Sequence, residues 1–231
     1  MKKYVLLITI LGVSLYSKAQ QAEPDKRTLE HTVGVQFNEL VKQVFNFNNS
    51  TTAVNNPFLL TYNITLKKSG IGLRTGIGYA HKSFAENDGI TKRSTDNNDL
   101  NFRLGIEKAF ELTYHWSAGV GVDAVLRNYT SNTDATVKSY DTTNTVTKSK
   151  LTNVGGGAMA WLRYAVSNKV LIGTEASFYY VSGKQTDDVT ITRTGQTVPG
   201  ITAISTYTSS SQDYSDGTIR VPVAIYLLVR F

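Results

Sequence analysis

Histidine is the first residue type to consider for acid–base or metal chemistry, and the chain has three: His31, His81 and His115. No two of them stand at a spacing typical of metal ligands. A Ser-His-acid constellation could be assembled from His81, Ser83 and Glu86. Segments this rich in Ser, Thr and Asp offer such a trio by chance, so catalysis is the least favoured interpretation and no catalytic residue is predicted.

Four aspartates could supply oxygen ligands to a hard cation such as Ca²⁺. They are Asp96, Asp99, Asp187 and Asp188. The glycines of the chain, in contrast, lack the spacing and the strand–helix context of a phosphate loop. Calcium binding is a minor alternative, and the sequence predicts neither a metal nor a cofactor.

Other charged residues alternate with apolar ones, which indicates a structural role. Around Arg103 and Glu107, for example, Leu104 and Ile106 occupy the intervening positions. A period of two gives one face of a strand to hydrocarbon and the other to charge. The charged face would fill the interior of a barrel, which is just wide enough for side chains when the barrel has eight strands. The predicted lumen network consists of Arg74, Arg103, Glu107, Asp123, Arg127, Arg163, Glu175 and Arg220.

Unpaired charges inside a barrel would be costly, so opposite charges of this network are expected to be neighbours. We therefore favour a packed set of ion pairs that fills the lumen. The alternative is a charged ion path or gate.

The elements that must position these charges are period-two segments of about ten or more residues. A tilted strand of that length crosses a bilayer. The segments are 31–40, 57–67, 71–82, 99–109, 114–128, 152–164, 169–181 and the C-terminal stretch that ends at Phe231. Tight turns at 67–70, 110–113 and 165–168 alternate with long polar spacers at 41–56, 83–98, 129–151 and 182–217. The sequence thus predicts an all-β protein, an eight-stranded antiparallel up-and-down transmembrane β-barrel with long loops on one rim.

The longest spacer contains two segments, 188–193 and 200–207, that keep some alternation of their own. They could prolong the last two strands as a protruding hairpin, or they could be two further spanning strands, making ten. The hairpin is favoured, because Thr and Arg fill these segments too heavily for a face in contact with lipid.

Aromatic residues are expected in two bands that bracket an aliphatic zone, as at the two interfaces of a membrane. A soluble β-barrel would not need such bands and would place its apolar face inward. A soluble secreted β-sandwich is the structural alternative. The predicted aromatic girdle consists of Phe110, Tyr114, Trp116, Tyr164, Tyr79, Tyr129 and Tyr180.

The N-terminus has the pattern of a secretory signal peptide. Lys2 and Lys3 precede a short apolar run, and Ser17-Lys18-Ala19 places small residues where a signal peptidase reads them. We expect a signal peptide at 1–19, a periplasmic segment at 20–30 and a barrel at 31–231 in the bacterial outer membrane. An uncleaved anchor is less favoured, because the apolar run is shorter than the roughly 18–20 residues that span a bilayer.

Charge and cysteine content exclude further classes of protein. Removal of the three lysines of the signal peptide lowers the formal charge from +6 to +3, and no Lys/Arg cluster indicates nucleic-acid binding. The chain has no cysteine, so disulfides and thiolate zinc sites are excluded.

The signal peptide, the alternating strands, the short and long turns and the ending Tyr226-Leu-Leu-Val-Arg-Phe231 together resemble the small bacterial outer-membrane β-barrel family, the OmpA-like and PorT-like group. In that family a terminal aromatic residue with apolar residues at alternate preceding positions is the signal read by the barrel-assembly machinery. The resemblance assigns this role to Ile225, Leu227, Val229 and Phe231. Pro222 departs from the pattern, because proline cannot donate to a strand ladder, and a bulge or a rim position would accommodate it.

The predicted function is non-enzymatic. We expect a porin-like surface protein, embedded in outer-membrane lipid, whose long extracellular loops have a structural role or bind an unknown extracellular ligand or protein. A narrow channel for small solutes is the leading alternative, and a hydrolase or acyltransferase site at the loop rim is a minor one.

Overall fold

The computed structural model of the chain describes residues 28–37, 57–139, 141–195, 203–220 and 225–231, without the side chain of Arg220. The predicted signal peptide, the spacer 41–56 and Pro222 lie outside these ranges. Nine strands account for almost all of the described chain. They are β1 (Leu29–Gln36), β2 (Leu60–Leu66), β3 (Ile71–Asn87), β4 (Thr91–Glu111), β5 (Trp116–Lys138), β6 (Thr142–Ala165), β7 (Val170–Thr194), β8 (Ile204–Arg220) and β9 (Ile225–Arg230). Within the same ranges no helix is long and apolar enough to cross a membrane.

The strands form one antiparallel sheet that closes into a ring. Each of β1 to β7 pairs with the next, and β9 closes the ring by pairing with both β1 and β7. β8 and β9 share the eighth position, because β7 pairs with β9 over its first residues and with β8 from Ser177 onward. The predicted eight-position barrel is confirmed, with its last strand described in two pieces on either side of residues 221–224.

The C-terminal residue forms the last rung of the closing seam. The His31 backbone N–H donates to the Phe231 carbonyl at 3.2 Å, and the Phe231 N–H donates to the His31 carbonyl at 3.0 Å. The two rings stack with centroids 5.9 Å apart. Because a closed ring leaves no free sheet edge, this seam holds the barrel shut.

The faces of the barrel are arranged as the alternation predicts, with apolar side chains outside and polar ones inside. Leu104 is 43% exposed and Arg103 only 1%. On the final strands, Ile219 and Leu227 point outward and are 74% and 41% exposed. Successive Cβ atoms of a strand point to opposite faces, so a period of two in sequence becomes an inside–outside division.

Strands β4 to β7 contain 21 to 25 residues, far more than the roughly 9–11 that cross a bilayer. The spacers 83–98, 129–151 and 182–217 are therefore largely strand, and their prediction as loops is wrong. Thr, Val and Tyr are strong strand formers, and each segment finds a neighbouring strand to complete its backbone hydrogen bonds. The segments 188–193 and 204–207 belong to β7 and β8, so the protruding hairpin is confirmed and the ten-strand alternative is wrong.

These prolonged hairpins form a second structural part, which we call the extension sheet: residues 81–98, 129–138, 142–151, 183–194 and 204–214. Within the described residues, strands β3 to β8 contribute to it. In the part of the chain that the structure describes, β8 pairs here with β7 alone.

Candidate functional site

A layer of buried charges crosses the barrel interior, centred on Glu175. One carboxylate oxygen of Glu175 accepts a hydrogen bond from Nη2 of Arg74 at 2.6 Å, and the other accepts one from Nη1 of Arg103 at 2.5 Å. All three side chains are buried. Strands β3, β4 and β7 thus contribute to one bridged group, although Arg74 and Glu175 are 101 residues apart in sequence.

Glu107 forms a second centre beside the first. Its oxygens accept hydrogen bonds from Nδ2 of Asn63 at 3.1 Å and from Nε1 of Trp161 at 2.9 Å. The guanidinium groups of Arg74 and Arg163 each approach Glu107 to 3.9 Å. The carboxylate is therefore held by two neutral donors and attracted by two cations.

Asp123 completes the layer. It accepts a hydrogen bond from the Tyr179 hydroxyl at 2.5 Å and lies 3.4 Å from Nε of Arg74. Arg74 thus approaches all three carboxylates. Three arginines face three carboxylates, so the layer is neutral, as burial requires.

Apolar clusters lie on both sides of the charged layer. Phe58, Val125 and Tyr179 pack together toward the hairpin rim, and Leu171, Tyr226 and Leu228 pack together near the tight-turn rim. A void beside Arg74 and Arg103 has a volume of about 20 Å³, which is room for about one water molecule. The carboxylates and guanidinium groups of the layer are therefore largely shielded from bulk water.

Glycines on the inner face make room for the largest side chains. A Cβ on Gly119 would lie 2.3 Å from the Trp161 ring, and one on Gly76 would lie 2.5 Å from Nε of Arg103. The positions next to these bulky groups therefore exclude any side chain.

Two members of the predicted network do not join this layer. Arg127 instead makes two hydrogen bonds to Asp99, at 3.0 and 2.8 Å, where both side chains are partly exposed at the barrel mouth. Placing Arg127 in the network is wrong, because the apolar cluster that contains Val125 separates it from the buried charges. Arg220 lies in β8 opposite Ser177, and its side chain is outside what the structure describes.

Sequence reasoning missed the neutral members of the site. Asn63, Trp161 and Tyr179 lie on the inward parity of their strands, so the alternation could have identified them. Phe58 has the same parity as the outward Leu60, but it is only 2% exposed. The alternation does not apply to it, because β2 begins only at Leu60.

Six of the seven predicted girdle residues lie on the outside of the barrel or its rim: Phe110, Tyr114, Trp116, Tyr164, Tyr79 and Tyr180. Tyr129 does not, and its place in the girdle is wrong. It pairs in register with Asp99 and Leu151, which face inward, and its ring lies 5.5 Å from the guanidinium carbon of Arg127. Tyr129 has the same parity as Arg127 and therefore points inward, whereas the outward residues of β5 have the opposite parity.

The Ser-His-acid trio does not form. Nδ1 of His81 lies 2.9 Å from an oxygen of Asn98 and 3.5 Å from Asp96. Ser83 shares the face of His81, but Glu86 has the opposite parity on β3 and points to the other face.

The calcium alternative is also wrong, because its carboxylates are not gathered. Asp99 faces inward and binds Arg127, and Asp188 accepts hydrogen bonds from Ser209 and Tyr207. Over the described ranges no three His, Asp or Glu side chains are placed to hold a metal ion.

Two aspartates outside the barrel wall are stabilised in their ionised form. The backbone N–H groups of Thr91 and Ile90 donate to Asp88 in the β3–β4 turn, which lowers the pKa of Asp88. Ser209 and Tyr207 donate to Asp188 across the β7–β8 hairpin, which lowers the pKa of Asp188. Each carboxylate therefore ties two parts of a hairpin together at neutral pH.

The chain matches no protein-family model, and it matches no curated protein. The resemblance to small outer-membrane barrels stays a prediction.

Proposed function

We propose that the chain is a non-enzymatic β-barrel of the bacterial outer membrane, with a sealed lumen and an extension sheet that acts in surface interactions. One observation carries this proposal: a closed barrel exposes a continuous apolar belt and buries its charges. Water-soluble proteins rarely expose apolar patches larger than a few hundred Å². Lipid is the surrounding in which the arrangement is stable.

The height of the belt supports the same conclusion. On β4 the outward positions from Leu100 to Phe110 are apolar except for Lys108, and ten-residue apolar spans also occur from Trp116 to Leu126 and from Val154 to Tyr164. Ten residues rise about 33 Å along a strand. At the usual tilt of 35–45° they cover about 25 Å, which is the height of the apolar band in outer-membrane barrels.

The sealed lumen favours a structural or binding role over a channel. A solute would have to displace both apolar clusters and separate Glu175 from Arg74 and Arg103. We expect no steady conductance when the purified protein is inserted into planar bilayers. A lasting open current would favour the channel alternative.

The extension sheet is the surface we propose for contact with an extracellular ligand or protein. From Tyr180 to Thr194, β7 continues 14 residues beyond the belt, which is about 46 Å along the strand. Strand hairpins present fixed side chains, so a partner would meet a preformed surface. The outward residues Ile225, Leu227, Val229 and Phe231 remain the proposed signal for the assembly machinery, and the segment 1–19 the proposed export signal.

The two tryptophans allow a direct test, because one points out and one points in. Trp116 is 43% exposed on the belt, whereas Trp161 is 6% exposed beside Glu107. In liposomes that contain brominated lipid, we expect strong quenching of Trp116 in the Trp161→Phe variant and weak quenching of Trp161 in the Trp116→Phe variant. The same variants in unbrominated lipid are the control. Equal or reversed quenching would overturn the proposal.

A further inference from the structure

The outer wall carries a shallow, open apolar groove on β3, β4 and β5. Its outward walls are Leu73, Leu104, Ile106, Val122 and Ala124. Leu104 and Ile106 are midway between the belt limits Leu100 and Phe110 on β4. The groove therefore lies near the midplane of the proposed bilayer.

Three lysines lie on the same outer face where the extension sheet leaves the belt. They are Lys148 and Lys150 on β6 and Lys184 on β7, and all are exposed. No described carboxylate comes within 4.0 Å of their amines. Asp188 pairs in register with Lys148 and Asp213 with Lys184, but both neighbours of Lys150 are threonines, so Lys150 has the least compensated charge.

The tilt of the strands places these lysines above the groove. Ile71, which follows the first tight turn, pairs with Lys108, whereas the next tight turn on that rim begins at Leu112, four residues further along β4. The rim thus descends along the strands as strand number rises. The barrel axis is perpendicular to this rim. A path along the axis that starts on β4 and β5 and rises toward the extension sheet therefore crosses to β6 and β7.

The vertical distance also fits one lipid. Lys150 is six residues above Gly156, the register partner of Ala124, which is about 20 Å along the strand and, at a tilt of 35–45°, about 15 Å along the barrel axis. Half of a hydrocarbon core is about 15 Å, and the headgroup region begins just beyond it. A lipid whose chain ends in the groove would have its headgroup at the level of the lysines.

We propose that this wall binds one anionic, phosphorylated lipid of the leaflet on the hairpin side. This inference rests on the proposed membrane function. The acyl chain lies along the groove, and the phosphate accepts hydrogen bonds from Lys150 and Lys184, with Lys148 beside them. Neutral lipids fill the same groove but have no net charge for the lysines to attract, so the lysines give the wall its selectivity.

The protein is inserted into nanodiscs that contain equal parts of phosphatidylglycerol and phosphatidylcholine with the same acyl chains. After release from the nanodiscs, native mass spectrometry of the folded protein measures which lipids it retains. We expect the unmodified protein to retain phosphatidylglycerol at least about five-fold over phosphatidylcholine. The variant K150Q/K184Q should lose this preference. The matched control K92Q/K138Q removes two lysines of the same face farther from the belt and should keep it.

A groove variant separates chain binding from headgroup binding. Ala124→Leu fills the groove from outside the barrel, so the fold is retained, and it should reduce the number of lipids retained; Ala118→Leu, also outward but outside the groove, should not. An unchanged preference in K150Q/K184Q, or no preference in the unmodified protein, overturns this inference alone. A protein that does not insert into the nanodisc at all overturns the proposed function as well.

Discussion

The change Glu175→Gln removes the charge at the centre of the buried layer. Glutamine keeps the size of the side chain but removes its charge, which leaves three guanidinium groups facing two carboxylates. It also replaces two charge-assisted hydrogen bonds, at 2.6 and 2.5 Å, by weaker contacts. Removal of one partner from a buried ion pair costs about 3–5 kcal/mol, and we expect a loss of that size in the free energy of unfolding.

The assay is equilibrium unfolding in urea, with the protein folded in detergent micelles and tryptophan fluorescence as the signal. Asp99→Asn is the matched control, because Asp99 also makes two hydrogen bonds to an arginine but at the partly exposed mouth. Exposed ion pairs contribute about 0–1 kcal/mol, so this variant should lose at most about 1 kcal/mol.

A double variant tests whether the charges act as one layer. Arg103→Met alone leaves a carboxylate in excess, whereas Glu175→Gln with Arg103→Met restores neutrality. The double variant should therefore lose at least about 2 kcal/mol less than the sum of the two single losses. The reasoning is refuted if the losses add within about 0.5 kcal/mol, or if Glu175→Gln and Asp99→Asn cost the same.

Three further results follow from the contacts. Gly119→Ala places a Cβ against the Trp161 ring and should cost about 1–3 kcal/mol in urea unfolding, whereas Gly217→Ala, with no contact under 3.9 Å, should cost little; equal losses would contradict the close packing. The pKa of Asp188 is lowered in the folded protein, so its hydrogen bonds stabilise the β7–β8 hairpin above pH 3.8, the ordinary pKa of the carboxyl group, and are lost as the pH falls through the lower pKa of the folded state. The amide shifts of the hairpin in NMR should therefore move below pH 3.8 in the unmodified protein and not in Asp188→Asn. Deletion of Phe231 removes the last rung of the seam and should lower the fraction of heat-modifiable, folded barrel in detergent gels, and an unchanged fraction would show that the rung is dispensable.

The chemistry of the site could be predicted only in part. The inward parity of Arg74, Arg103 and Glu175 follows from sequence, because each has the parity opposite to the aliphatic residues of its strand. The ion pairs between them do not follow from the sequence, since these depend on the register of three different strands. The same limit explains Arg127, which has the predicted parity but lies one layer too high to reach the network.

Strand length was the other property beyond the reach of sequence reasoning. The spacer 129–151 is rich in Thr, Ser and Asn, which alone is typical of a loop. In the folded chain its two halves pair with each other and with β4 and β7, and this pairing satisfies the backbone of a polar strand. A segment read by itself gives no sign of such neighbours.

The strand count around the ring and the face to which most side chains point can be read from the amino-acid pattern, because a strand turns its Cβ atoms alternately and Leu, Val and Ile mark one face. Strand register, ring closure and the level of each side chain along the barrel axis follow only from the folded chain. Those depend on hydrogen bonds between residues far apart in the chain, such as the seam between His31 and Phe231. Alternation is a local property of the backbone, whereas a charge-balanced lumen exists only once the ring has closed.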